Sequence, residues 1–258
     1  MNKTKIEWCT HTFNPVTGCL HGCPYCYAKR IAERFSKYDQ HEIYAHTRLD
    51  KLGYPMLNEP ETVVQDGKTL IDPYPFGFYP TFHRYRLDEP AKMKKPARIF
   101  VVSMGDLFGA WVPDSWILEV FEACKKSPQH KYMFLTKNPK RYAELAEKGL
   151  LPSLDNFWYG QTCTEGVVGA FLGPYHHFLS AEPLEGVVDA HCFEWIIIGA
   201  ETGNRKGKHV PTDVEIFTSS YTNLCTVFMK DSLVPIVGEK HMLRMIPREL
   251  RIEGEWCD

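Results

Sequence analysis

The chain has no apolar run long enough to cross a membrane: its longest uninterrupted stretch, around Trp195 to Ala200, falls far short of the ~18 residues a span needs. No charge of one sign dominates its 258 residues either, since 30 Lys+Arg oppose 32 Asp+Glu for a net charge of −2. The first residues, Met1-Asn2-Lys3-Thr4-Lys5-Ile6-Glu7-Trp8, lack the apolar core of an export signal, so a cytoplasmic protein with no membrane partner is expected. Repeats and low-complexity tracts are missing. With 44 % hydrophobic and 13 % aromatic residues, disorder and coiled coil are excluded and a real core is affordable. A disulfide framework is also not expected, because the nine cysteines are odd in number and most (Cys9, Cys124, Cys163, Cys192, Cys225, Cys257) sit singly.

What is present is a rhythm. From about Pro96 onward, short runs rich in Val, Ile and Phe alternate with amphipathic stretches, the pattern of βα units around a parallel sheet. Strands are expected near Arg98 to Ser103, Lys131 to Thr136, Phe157 to Thr162, His176 to Ala181, Glu194 to Ala200 and Thr226 to Lys230. One helix opens at Pro113-Asp114 and buries Trp116, Val120, Phe121 and Cys124; another is capped by Asn138-Pro139 and closed by Gly149. A third runs from about Thr212, with Val214, Phe217, Tyr221 and Leu224 on one face. An earlier unit has a strand at Thr12 to Val16 and a helix from Tyr27 to Tyr38, with Tyr27, Ile31 and Phe35 stacked four apart. The expected fold is α/β, one domain over 1–258: an open or closed, partial TIM-like βα barrel of about six to seven parallel strands, with chemistry at the strands' C-terminal ends. Residues 36–95 break the rhythm with Pro, Gly, Tyr and a hairpin-like Thr62 to Leu70, and read as an insertion or lid.

Between the first strand and first helix lies Cys19-Leu-His-Gly-Cys23-Pro-Tyr-Cys26. Spacings of three and two residues put three thiols in one tight loop, with Gly22 free to take unusual backbone angles and Pro24 stiffening the last turn. Structural zinc wants four ligands, and the candidates for a fourth (His21, His11, Cys9) give no familiar zinc spacing. A redox pair would use only Cys23 and Cys26 and leave Cys19 unexplained. An iron-sulfur cluster with one iron free of protein ligands is favoured, since thiolates suit such clusters.

Cys-x3-Cys-x-aromatic-Cys after a first strand, followed by βα units, resembles the radical S-adenosylmethionine (radical SAM) superfamily. Further stretches resemble a narrower, phage-associated family of unknown function within it: Lys5-Ile6-Glu7-Trp8, Phe13-Asn14-Pro15-Val16-Thr17-Gly18-Cys19, Cys26-Tyr27-Ala28, Lys95 to Val101, Ser103 to Phe108, Phe134 to Pro139, Leu179 to Leu184 and Ile198 to Gly203. The resemblance implies a [4Fe-4S] cluster on Cys19, Cys23 and Cys26, and SAM on the open iron. It implies reductive cleavage to a radical that abstracts a substrate hydrogen, and an electron donor such as a flavodoxin or ferredoxin. Family members tend to occur beside a gene for a three-cysteine-motif protein, which implies that protein as a partner. Tyr25 is placed near the adenine, and Ser103-Met104-Gly105-Asp106 stands where a motif receives the methionyl amino group, Asp106 accepting that bond. Polar residues at later strand ends then surround the site. Thr136, Gln161 and Ser180 are candidates for cofactor binding, and Lys137, Glu182, Glu201 and Lys230 for catalysis, with Thr162 and Asp231 nearby.

Structural readings stand beside these. Asn138 caps a helix, Asp106 caps the turn after it, Lys230 points inward or outward by period two, and Gly199 to Lys208 is either a phosphate cradle or an exposed loop. The segment His83 to Arg98, with Arg84, Arg86, Lys92, Lys94, Lys95 and Arg98 interleaved with aromatics, suits phosphate contact and base stacking or is a solvated face. A nucleotide or nucleic-acid substrate is therefore one expectation. The competing class is a non-enzymatic phage accessory or interaction protein whose cysteines hold zinc or an iron-sulfur cluster.

Overall fold

The computed structural model describes residues 1–36, 49–171, 173–221 and 225–252. Its main feature is an eight-stranded sheet in the order β1 (Asn2–Lys3), β2 (His11–Phe13), β8 (Arg98–Val101), β9 (Lys131–Thr136), β10 (Phe157–Thr162), β12 (His176–Ala181), β14 (Trp195–Ile198) and β15 (Thr226–Met229). All neighbours from β2 to β15 pair in parallel, and only β1 runs antiparallel. With β1 and β15 as its edges the sheet is open among the described residues, not a closed barrel.

The strands form where β-branched and aromatic residues run together, and period two sorts their side chains. On one face Trp8, Phe100, Met133, Trp158, Phe178, Trp195, Ile197 and Phe228 make a single cluster. Their sequence neighbours Ile99, Val101, Tyr132, Phe134, Phe157 and Tyr159 face the opposite way into a second core, under α2 (Asp114–Lys125) and α3 (Lys140–Glu147). Leu179, Ala181, Ile196, Ile198, Val227 and Met229 continue that outer layer under α4 (Asp213–Tyr221). Truncating one of the inner aromatics would cost about 3–5 kcal/mol. Gly160 is required by this layer: a Cβ there would stand 2.3 Å from the Phe178 ring.

Strands β9, β10 and β12 have the expected bounds, and α2 buries Trp116, Val120, Phe121 and Cys124 as expected. Among the described residues, two crossovers carry no helix. The chain from β10 to β14 instead pairs β11 (Gly166–Gly169) with β13 (Val188–His191). The helix expected from Thr212 turns a different face inward, burying Ile216, Ser219 and Ser220 while Val214 and Tyr221 are exposed; Leu224 lies outside the described residues. Asn138 is no side-chain cap of α3, since its amide donates to the Phe108 carbonyl at 2.9 Å.

The first unit also differs. Val16 leaves the main sheet, because β3 (Val16–Thr17) pairs with β7 (Thr81–His83), which in turn pairs with β4 (Met56–Leu57). The helix α1 spans Tyr27–Phe35, and it is Ala28 and Ala32 that pack inward, not the aromatic stripe; positions 37 and 38 lie outside the described residues. The expected hairpin is present as β5 (Thr62–Gln65) and β6 (Lys68–Ile71), turning on Asp66 and Gly67, both at positive φ. No described helix is long and apolar enough to cross a membrane.

In the segment 83–98 the arginines are taken up within the protein, while Lys92, Lys94 and Lys95 stay exposed. Arg84 grips Glu119 with two bonds of 2.8 and 2.6 Å, Arg86 donates to the carbonyls of Asn14 and Pro73, and the buried Arg98 donates to those of Trp8 and Leu250. Phe82 stacks on Trp116 in the outer core. The described part of the insertion thus packs beside α2; of its residues only Phe78 reaches the cavity described next.

Candidate active site

A cavity of about 240 Å³ opens at the C-terminal ends of the parallel strands. Cys19, Cys23 and Cys26 line it together with Tyr25, Ser103, Gly105, Asp106, Thr136, Lys137, Thr162, Ser180, Glu182, Glu201 and Lys230. Three expected residues are not brought there, and one of them, Asp231, pairs instead with Arg244 at 2.6 Å. Gln161 follows the outward parity of Tyr159 and donates to the Gly169 carbonyl at 2.8 Å, and the buried Met104 lies behind the wall. Parity also explains the residues that do arrive. Thr162 continues the inward row of Trp158, Ser180 and Glu182 that of Phe178, and Lys230 that of Phe228.

The cysteine loop is held chiefly through backbone. Gly18 bridges Gly105 in parallel and donates to the Met104 carbonyl at 2.9 Å. A Cβ on Gly105 would stand 2.7 Å from the Gly18 oxygen, and one on Gly18, at φ +86°, would stand 2.3 Å from the Tyr79 oxygen. Only glycine lets the two chains approach so closely. At the loop's far end the Cys26 sulfur caps α1 by accepting from the Lys29 amide at 3.3 Å.

Asp106 is the hub. The residue is 4 % exposed, and its carboxylate accepts from His21 Nε2 (2.8 Å), Thr136 Oγ1 (2.9 Å) and the Lys137 amide (3.0 Å) on one oxygen, and from the Phe108 amide (2.9 Å) on the other. One oxygen thus holds the turn after Asp106 and the other ties the cysteine loop to β9, while Asp106 itself lines the cavity. Ser103 Oγ donates to the Asn14 side chain, and the Ser103 carbonyl accepts from Tyr27 at 2.7 Å. That hydroxyl is desolvated, which raises its pKa, while the ring flank of Tyr27 stays open.

Burial pushes the Cys19 thiol up to about 12 and the Cys9 thiol likewise to about 12. Of the three expected fourth zinc ligands, only His21 lines the cavity with the three cysteines. His21 is bonded to Asp106, His11 Nδ1 to Thr10 Oγ1, and Cys9 Sγ points to the Ile6 carbonyl. Among the described residues no group of three or more His, Cys, Asp and Glu side chains is gathered so as to hold a single metal ion.

Across the cavity, Lys230 meets Glu182 at 2.6 Å, and Glu182 also accepts from Ser180 Oγ at 3.1 Å. Burial acts to lower the Lys230 pKa, but Glu182 and Glu7 outweigh it and hold the ammonium above its ordinary value. Gly199 makes room for the pair, since a Cβ there would lie 3.1 Å from both side chains. Glu201, whose side chain is 5 % exposed, is gripped by Arg205 through two bonds of 2.8 and 2.6 Å; these bonds lower its pKa. Lys208 donates to the Glu201 and Gly203 carbonyls, so these two cations of the expected phosphate cradle are spent within the loop. Lys137 differs: its ammonium donates to the Tyr25 hydroxyl at 2.8 Å and lies 5.1 Å from that ring, with no carboxylate partner among the described residues.

Arg30 and the apolar floor of Trp8, Phe100 and Leu135 also line the cavity and were not foreseen. Arg30 was legible in principle, as it lies four residues beyond Cys26 on the same helix and so one turn above it.

Over residues 3–219 the chain matches a family described as a protein of unknown function (DUF5131), and it belongs to that family. No curated protein and no solved structure matches it.

Proposed function

We propose that this chain is a radical SAM enzyme, built as a partial βα barrel of seven parallel strands. On this reading it carries a [4Fe-4S] cluster on Cys19, Cys23 and Cys26 and binds SAM beside it. The observation that carries the reading is that three thiols of one eight-residue loop share a single cavity with polar residues from the ends of six parallel strands. The donor set fits a cluster: soft thiolates suit iron and sulfide, and a cluster takes one thiolate per iron corner, so the sulfurs need to surround a body rather than meet at a point. When bound, cluster and SAM supply a reductively generated 5′-deoxyadenosyl radical, the electron coming from a donor such as a flavodoxin or ferredoxin.

The chain's own residues then orient and protect. Asp106 and the Gly18–Gly105 contact fix the thiol-bearing loop. Trp8, Phe100 and Leu135 keep water from the closed end of the cavity. Lys137 offers a cation to a carboxylate or phosphate. The Glu182–Lys230 ion pair presents both an acceptor and a charged donor to a substrate group in the cavity.

Anaerobically purified protein is expected to be brown, to absorb broadly near ~400 nm, and to contain iron and sulfide that Cys23→Ala loses. Reductant and SAM should yield 5′-deoxyadenosine above the level of that variant. Stoichiometric zinc without iron, and no cleavage under any reductant, would overturn the reading in favour of a non-enzymatic metal-binding module.

A further inference from the structure

We propose that α1, with the 201–208 loop facing its first turns, is the docking surface for a single-stranded nucleic acid whose path leads into the mouth of the cavity. The fully buried residues of α1 are Ala28 and Ala32, and the Tyr27 hydroxyl is its other inward contact. Tyr27 (44 % exposed), Ile31 (37 %) and Phe35 (52 %) form a stripe on its solvent side, about 12 Å long at helical rise. A stripe of this kind normally faces a core; here it faces outward, starting at the cavity, which Tyr27 itself lines. The Tyr27 hydroxyl is anchored on the Ser103 carbonyl at 2.7 Å, so its open ring flank is a platform that costs little entropy to use.

The charge beside the stripe selects the occupant. Lys29, Arg30 and Arg34 stand on α1 against the one acid Glu33, which reaches Lys29 at 3.7 Å. Among the described residues Arg30 and Arg34 make no ion pair. Arg34 lies over the Phe35 ring at 5.8 Å. Arg30 lines the cavity, its guanidinium 3.5 Å from where a Cβ on Gly203 would stand, and Lys206 is exposed on the same loop. Glu201, the acid nearest this mouth, is already neutralised by Arg205. Rings alternating with unpaired guanidiniums offer stacking to bases and charge to phosphates, the combination that binds single strands without reading their sequence. An apolar protein partner would supply no counter-charge to Arg34, which has no ion pair among the described residues. The arginines of the 83–98 segment cannot substitute, because Arg84, Arg86 and Arg98 are bonded within the protein.

The docking stands apart from the radical chemistry; only the delivery of a nucleotide to the cavity rests on the proposed function. Fluorescence anisotropy of the full chain with labelled oligonucleotides of about 15 nucleotides tests it, using single-stranded DNA, single-stranded RNA and the duplex. Both single strands are expected to bind more tightly than the duplex. The double variant R30E/R34E should weaken binding ten-fold or more and lower the slope of log Kd against log salt by about two. Phe35→Ala should weaken it about ten-fold, and K94A/K95A should leave it unchanged. Arg34→Glu and Phe35→Ala lie outside the cavity, so they should keep iron content, melting temperature and SAM cleavage. Wild-type protein that binds no single strand at low salt, or variants that bind as wild type does, would overturn the proposal. So would a self-association that Phe35→Ala abolishes while oligonucleotide binding persists. Lost SAM cleavage with intact oligonucleotide binding would overturn only the enzymatic reading, and the converse only the docking.

Discussion

The wall of the cavity formed by the cysteine loop and the wall formed by the ends of β12, β14 and β15 are held by different means. On the first, backbone meets backbone at Gly18 and Gly105, and one buried carboxylate, Asp106, collects four donors. On the second, side chains meet side chains: Glu182 with Lys230, and Glu201 with Arg205. Backbone contacts and a saturated buried acid allow one arrangement, which suits a loop whose three thiols must keep fixed relative positions. Ion pairs that remain partly open to the cavity can exchange partners, which suits a wall that meets a ligand.

If that contrast holds, damage to the first wall should be the more costly. The largest effect is expected from Gly18→Ala, whose Cβ would stand 2.3 Å from the Tyr79 oxygen at a φ of +86°. A loss of about 3 kcal/mol or more in denaturant unfolding is expected, and a wild-type stability would show that the glycine contact is dispensable.

Asp106→Asn comes next. Whichever way the amide turns, its NH2 faces donors: His21, Thr136 and the Lys137 amide on one side, or the Phe108 amide on the other. A cost of about 2 kcal/mol follows. Faster labelling of the loop thiols by a disulfide reagent is also expected, relative to the buried Cys124 as internal control. Equal labelling rates would detach Asp106 from the loop.

Lys230→Met should cost about 1–2 kcal/mol, because Glu182 loses its partner at a partly open site. The pH course identifies the cause. The ammonium's folded pKa lies above its ordinary 10.5, so its stabilisation is complete below that value and disappears as the pH rises through the higher folded one. The gap between wild type and variant should therefore stay constant through neutral pH and close only under strongly alkaline conditions; a gap that closes near neutrality would assign it to another group.

The smallest effect belongs to Arg205→Gln. Glu201 is held below its ordinary 4.5 by Arg205, so the stabilisation it gains is complete above 4.5 and is lost as the pH falls through the depressed value. Melting curves of wild type and variant, taken from about pH 7 to about pH 3, should differ slightly at the upper end and converge at the lower. A difference that grows toward acid would contradict the pairing.

The amino-acid sequence by itself determined the parallel strands, three of them to the residue, because runs such as Tyr132-Met-Phe-Leu and Trp195-Ile-Ile-Ile have few alternatives to a doubly buried strand. It also determined the outer helix built on Trp116, Val120, Phe121 and Cys124, whose period matches its burial, and the loop in which the three cysteines meet. Only the tertiary structure decided which member of each alternating pair faces the cavity. Period two says that Gln161 and Thr162 point apart, but it took the gathering of Trp158 and Phe178 into the inner cluster to send Thr162 inward and Gln161 away. The face of α1 was likewise undecidable locally: Tyr27, Ile31 and Phe35 share a stripe in any helix, and whether a core lies over that stripe depends on chains far away in sequence. The same holds for charge. Arg84 and Arg98 look free beside their neighbours, yet they are taken up by Glu119 and by the carbonyls of Trp8 and Leu250, partners 35, 90 and 152 residues distant. Asp106 reads in the sequence as a turn cap or as an acceptor for an amino group, and nothing local shows that β9 and the cysteine loop bring Thr136, Lys137 and His21 onto one oxygen. Local pattern fixes which groups need partners; the long-range approach of strands and loops fixes which partner each one finds.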